Sequence, residues 1–163
     1  MAERPSAARD CFGCGEANAR GLGLQFRQEG DRAVADFAAE TYLQGYPGRA
    51  HGGVVATVLD EAMSWACYWA GMWAMTARLT MRFRRAVPLS EQITVSGWLT
   101  RDRGRVLELR SELRSADGAL LAEADGLFVR VSERDGEEMR RFYEASEAGR
   151  QTDTITSLQD GRP

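Results

Sequence analysis

From Val54 to Trp73 the chain is apolar at nearly every position, and the polar exceptions Thr57, Asp60, Glu61 and Ser64 recur at three- and four-residue spacings. That spacing is helical and confines the polar groups to one narrow stripe. A helix apolar on its remaining faces is buried, so the rest of the fold has to supply its cover. At about 20 residues the run has the length of a membrane span, but two adjacent carboxylates near its middle would cost roughly 2.5 kcal/mol or more at a bilayer centre. It therefore reads as the core helix of a soluble domain, with no part for a membrane. Burying an unpaired charge is expensive, which makes Asp60 and Glu61 the first candidates for function.

The cover is legible on both sides of the run. After Trp73 the period drops from 3.6 to 2: Ala77, Leu79, Met81 and Phe83 fall on one face, and Thr76, Arg78, Thr80, Arg82 and Arg84 on the other. This is the alternation of a half-buried antiparallel strand, and Pro88 closes it. A second strand follows through Ile93, Val95, Gly97 and Leu99, and a third sets Leu107, Leu109 and Leu113 against Glu108, Arg110, Glu112 and Arg114. Asp117-Gly118 is a hairpin signal leading into a fourth strand, Ala119 to Val131, whose face of Ala122, Ala124 and Gly126 is small enough for a helix to pack closely. Ahead of the helix, Leu22 to Phe26 and Ala33 to Phe37 form a hairpin about a turn at Gln28 to Asp31. A loop with Tyr42, Gly45, Tyr46, Pro47 and Gly48 then delivers the chain to His51-Gly52-Gly53. One wholly apolar helix among antiparallel strands is hidden only if the sheet curls around it, giving an α+β domain.

The 163 residues suit one such domain. Residues 1–10 are expected to be disordered, 11–135 to form the domain, 136–148 a surface helix and 149–163 a flexible tail. A net charge of -3 argues against nucleic acid or an anionic membrane as partner. No apolar segment follows the polar start Met1 to Arg9, so the expected location is cytoplasmic. Cys11-Phe-Gly-Cys14 has the spacing of half a zinc site or a redox pair, yet Cys67 and the single His cannot complete a four-ligand set. A redox pair belongs at a helix start, whereas Gly13, Gly15 and Gly21 make this a loop. No metal site is expected.

Three segments together resemble a known family, the hotdog-fold acyl-CoA thioesterases, particularly the phenylacetate-pathway type. They are Cys11-Phe-Gly-Cys-Gly-x-x-Asn18 with Gly21-Leu22, Gln44-Gly-Tyr-Pro-Gly48, and His51-Gly-Gly followed by Asp60-Glu61; Thr76 to Thr80 and the strand to Pro88 fit as well. The resemblance implies a curled antiparallel sheet around one long helix, hydrolysis of an acyl-CoA substrate, and no cofactor, coenzyme A being part of that substrate. It gives Gly52 as the oxyanion donor, Asp60 as base or nucleophile, and Gln44 with Gly45 as the loop that holds an amide near the oxyanion.

Elementary chemistry agrees. A helix N-terminus offers unpaired N–H groups and positive dipole, and a glycine lets a carbonyl approach them; the same glycines also suit a plain tight turn. Gly52 and Asp60 are eight residues apart, about 12 Å along a helix, too far for one carbonyl to touch both. A second copy must then supply the carboxylate, which implies a homodimer or a dimer of dimers. Spacing alone does not separate Asp60 from Glu61, and either fits a buried polar network with Thr57 or Ser64.

His51 is read as an orienting or structural residue, because no G-x-S-x-G and no nucleophile pairs with it. Tyr46, Gly53 and Trp65 are candidates for substrate contact, Trp65, Trp69 and Trp73 recurring every four residues either as core or as an acyl-pocket wall. Arg82, Arg84 and Arg85 suit either coenzyme A phosphates or a solvated strand face. Where some relatives carry a Ser near the end of the first long strand, this chain has Arg85. Competing functions are a non-catalytic acyl-CoA or aromatic-ligand binding module, against which Asp60 speaks, and an acyl-thioester hydratase, for which no His-Asp pair is found.

Overall fold

The computed structural model describes residues 10–140. It divides into two compact units, Leu24–Val131 and the flanking segments before and after it. The larger unit holds β1 (Arg27–Glu29), β2 (Arg32–Phe37), a 3-10 turn at Thr41–Leu43, α1 (Gly52–Trp69), β3 (Ala74–Phe83), β4 (Ile93–Asp102), β5 (Val106–Ser115) and β6 (Leu120–Arg130). All strand pairings are antiparallel, and the single sheet runs β1-β2-β4-β5-β6-β3. This is the expected α+β hotdog architecture, a sheet curled around one long helix.

The helix is buried as its composition demands: Val58, Leu59, Ala62 and Met63 are fully inaccessible. The sheet admits it by removing side chains where it lies closest. A Cβ on Gly97 would stand 2.4 Å from the Ala62 carbonyl, and one on Gly126 2.8 Å from Met63 Sδ. Ala122 and Ala124, on the same face as Gly126, are 0% and 1% exposed. The helix ends at Trp69, four residues before its expected limit at Trp73. Gly71 has φ +73°, its N–H donates to the Tyr68 carbonyl at 2.9 Å, and the Met72 N–H donates to the Cys67 carbonyl at 2.9 Å. This pair of bonds is the Schellman closure that glycine permits. The first hairpin turns within the expected stretch, at Gly30 with φ +62°, but its first strand is Arg27–Glu29 and not Leu22 to Phe26.

Two features of β3 bear on function. It follows the helix in sequence but lies at the edge of the sheet, paired only to β6. Its register is broken between Thr76 and Arg78, which oppose the consecutive residues Phe128 and Leu127 and leave Ala77 as the extra residue of a β-bulge. On the outer face, Glu123 of β6 is 8% exposed. It accepts from Arg84 Nε at 2.8 Å, from a second nitrogen of Arg84, and from an Arg110 terminal nitrogen at 3.1 Å. Those guanidinium hydrogen bonds hold its carboxyl below the usual glutamate range.

In the other unit, the Cys11–Cys14 segment is a loop, as expected, closed by the Gly15 N–H on the Cys11 carbonyl at 3.0 Å. Residues 133–140 are helical, beginning ahead of the expected start at 136. Ser132 caps them, its hydroxyl accepting from the Asp135 N–H at 3.2 Å. The expected disordered segment 1–10, Asp10 apart, the end of the expected helix 136–148 and the tail 149–163 lie outside the described residues. Among the described residues no helix is long and apolar enough to cross a membrane.

Candidate functional site

The loop before α1 is built to present the first amides of the helix. The Gln44 side-chain oxygen accepts from the Gly48 N–H at 2.8 Å, and the Gly45 N–H donates to the Arg49 carbonyl at 2.9 Å. Gly45 packs tightly on the cap, since a Cβ there would lie 3.0 Å from the His51 Cα. His51 is the N-cap: its Nδ1 accepts from the Gly53 N–H at 3.0 Å. An accepting Nδ1 carries no proton, so the ring is the Nε2–H tautomer. With Gly53 occupied by the cap, the N–H of Gly52 is the amide of the pair without a partner among the described residues. Gly52 lines an open cleft of about 450 Å³ together with Tyr46, Arg49, Val55, Phe83 and Arg85. The unpaired donor thus stands at the positive end of an 18-residue helix, facing space that a ligand can occupy.

Asp60 lies two turns further on and is half-buried. Burial lifts its carboxyl above the usual aspartate range, and the Thr76 hydroxyl, donating to Asp60 Oδ1 at 2.8 Å, pulls it partly back. Thr57, weighed from sequence as a partner, instead donates to the Gly53 carbonyl at 3.1 Å. Thr76 is the site residue that sequence reasoning missed. Strict alternation assigns it to the outer face with Arg78, and only the bulge at Ala77 turns it toward the helix. Glu61 is half-buried on the same stripe.

The remaining candidates scatter. Trp65 is 5% exposed, its ring stacked on Phe26 with centroids 5.9 Å apart, and it belongs to the core and not to the cleft. Trp73 lies beyond the helix, edge-on to Tyr68 at 5.5 Å. Arg84 lines the cleft beside Gly52 and also holds Glu123 with its guanidinium. Arg82 sits opposite Glu123 on the outer face, and Arg85 lines the cleft. Cys67 offers no nucleophile, because burial pushes its thiol up to about 12.

Donor, carboxylate and hydroxyl are groups that acyl-transfer chemistry can use, and known proteins share the frame that carries them. Residues 47–122 match the family model described as Thioesterase superfamily. The bovine acyl-coenzyme A thioesterase THEM4 is 38% identical over 116 residues, 68% of this chain and 48% of that protein. The chain spans about half the length of the curated relatives it matches. The PaaI protein from the phenylacetic acid degradation operon of E. coli shares the fold, with a TM-score of 0.65 at 20% identity over 71% of this chain and 88% of that one. A crystal structure of a thioesterase superfamily protein superposes with a TM-score of 0.73 at 31% identity, covering 79% of this chain and 68% of its own. On that identity and coverage, the chain belongs to the thioesterase superfamily.

Proposed function

We propose that the chain hydrolyses an acyl-CoA thioester to the free acid and coenzyme A, at a site shared between two copies. The observation that carries this reading is the unpaired Gly52 N–H at the head of α1, in an open cleft. An N–H there suits the thioester carbonyl oxygen, and its hydrogen bond strengthens as negative charge develops on that oxygen in the transition state. Asp60, at about 12 Å along the same helix, serves a second copy of the site as base toward water or as nucleophile. Thr76 occupies one of its oxygens and leaves the other free to take a proton or attack. Water supplies hydroxyl to the acyl carbon, the C–S bond breaks, and the proton ends on the coenzyme A sulfur, so the reaction balances with no cofactor.

The edge strand supports two copies. β3 leaves one side without a strand partner, and Met75 and Phe83 on it are 60% and 55% exposed. A long, apolar, open edge is a template for pairing with another chain. Aligned antiparallel, two β3 edges would bring Gly52 of each copy toward Asp60 of the other. Cys11, Cys14 and Cys67 form no disulfide among the described residues, and we place the chain in the cytoplasm, where thiols stay reduced.

Within the reaction class we favour the phenylacetate-pathway type, on the Cys11–Asn18 and Gln44–Gly48 segments. The test is a panel of acyl-CoAs, phenylacetyl-CoA and long-chain acyl-CoAs included, followed by free-thiol release, with the oligomer measured by sedimentation. Turnover by a dimer or tetramer is expected. Binding without thiol release would instead identify a binding module, and a fully active monomer at micromolar concentration would sink the shared site.

A further inference from the structure

We infer that Cys11 and Cys14 are a reversible thiol–disulfide site, which a low-molecular-weight disulfide closes into a bond within one loop. The inference stands apart from the reading of the cleft and needs no thioester chemistry.

Both residues are thiols here, and their sulfurs lie within 4.8 Å of each other. Only Phe12 and Gly13 separate them, and the segment closes as a single turn through the Gly15 N–H on the Cys11 carbonyl at 3.0 Å. Residues three apart on such a turn point to the same side. A disulfide needs sulfurs about 2.05 Å apart, and one staggered step of χ1 at either cysteine covers that difference. Gly13 lets the backbone of the closed ring yield where a bulkier residue would resist.

The rest of the loop holds this turn from both flanks. The Leu22 N–H donates to the Phe12 carbonyl at 2.8 Å, and the Gly21 N–H to the Asn18 carbonyl at 2.8 Å. Asn18 Nδ2 donates to the Asp10 carbonyl at 3.2 Å, and Asn18 Oδ1 accepts from the Arg20 N–H at 3.0 Å. Gly21 is seated so closely that a Cβ would stand 2.8 Å from the Phe12 carbonyl oxygen. Part of the conformational entropy that opposes closing a disulfide is therefore already lost in the folded loop.

Exposure assigns the order of the steps. Cys11 is half-buried and Cys14 is 4% exposed, so an incoming disulfide meets Cys11 first. The Cys11 thiolate attacks one sulfur of oxidised glutathione, the mixed disulfide forms, and one glutathione thiolate leaves. Cys14 then attacks the Cys11 sulfur, the bond within the loop forms, and the second glutathione thiolate leaves. The protein gives up two electrons and two protons, and one glutathione disulfide becomes two thiols. Residues 15–26 contain no helix, so the pair lacks the helix N-terminus that activates the cysteines of disulfide oxidoreductases. It acts as a switch and not as a catalyst of exchange. Cys67 does not compete, being sealed in the core with its thiol pushed up to about 12.

The experiment equilibrates the full chain in glutathione buffers of graded ratio, quenches with N-ethylmaleimide and maps every cysteine by mass spectrometry. It is run in native buffer and in concentrated urea. A Cys11–Cys14 link is expected, with an equilibrium constant roughly 10-fold or more above that of the unfolded chain, corresponding to the ordering of at least one residue. Cys14→Ser should stop at a single glutathione on Cys11, and Cys11→Ser should leave Cys14 unmodified over the same interval. Equal constants in the folded and unfolded chains would overturn the inference, as would separate glutathione adducts on both cysteines of the folded protein. Thiols that stay shielded until a chelator removes zinc would overturn it in favour of a metal-holding pair.

Discussion

Replacing Gly97 by alanine tests how tightly the helix is seated and whether that seating matters for the site. The new Cβ would stand 2.4 Å from the Ala62 carbonyl carbon and oxygen and 2.7 Å from the Met63 nitrogen, where ordinary contact begins at 3.4 Å. The obstructing atoms are helix backbone, so no rotamer change relieves the clash, and α1 must rise by about 1 Å, the difference of those two distances. A gap of that size forfeits roughly a quarter to a half of the dispersion energy at each contact it opens. Overpacked substitutions cost about 1–3 kcal/mol where side chains yield; with a backbone neighbour the expected loss is about 3 kcal/mol or more. Gly126→Ala is the internal comparison. Its Cβ would meet the Met63 Sδ and the Phe128 ring at 2.8 Å, side-chain atoms that can give way, and it should cost roughly half as much. Denaturant unfolding at constant slope measures both. Because α1 carries both Gly52 and Asp60, a 1 Å lift should also lower turnover about 100-fold in molecules that remain folded. A Gly97→Ala variant destabilised by less than about 1 kcal/mol, or by less than Gly126→Ala, would refute the packing argument.

Three further outcomes are expected. Asp60→Asn should keep the fold and lower turnover by roughly 100-fold or more, with Glu61→Gln doing less; steady-state kinetics showing the reverse order would reassign the carboxylate. Glu123 has a depressed pKa in the folded state, so its ion pairs with Arg84 and Arg110 stabilise the fold above the ordinary glutamate value of 4.5 and fade as pH falls through the lower folded value. The stability difference between native protein and Glu123→Gln should therefore be constant near neutrality and shrink below that pH, and a difference that is flat into acid would exclude the pairing. His51→Ala should cost about 1 kcal/mol by removing the N-cap, and His51→Asn should recover most of it, as measured by thermal melts; equal losses in the two variants would mean the ring is held for another reason.

The helix was legible in the sequence because burial on all faces leaves an unbroken apolar run, and the strands because their alternation has a period of two. What could not be read was their order in space. β3 adjoins β4 in sequence yet pairs with β6, a choice made by tertiary packing that no local pattern records. The helix end was misjudged for a local reason: Trp73 continues the four-residue aromatic spacing, but Gly71 at positive φ breaks the helix first. At the candidate site, the pair Asp60-Glu61 stood out as charges in an apolar helical run, and the resemblance singled out Asp60 and Gly52. Thr76 did not stand out, since one extra residue in a ladder reverses the face of everything before it and leaves no mark in composition. The contribution of His51 was readable only as orientation; that it occupies the Gly53 amide and so leaves Gly52 free is a fact of geometry.

The edge position of β3 also sets an order of events during synthesis. β4 to β5 and β5 to β6 are neighbours in both sequence and sheet, whereas Ala74 and Phe83 of β3 wait for Arg130 and Ala122. The ribosome therefore releases the most apolar helix of the chain well before the strand that anchors its neighbour exists. With ~60 residues between Trp69 and Arg130, and elongation at roughly 5–20 residues per second, that interval is about 3–12 s. For those seconds the surface later hidden by the sheet is open to whatever binds nascent apolar segments, and a chain truncated within β6 would never leave that condition.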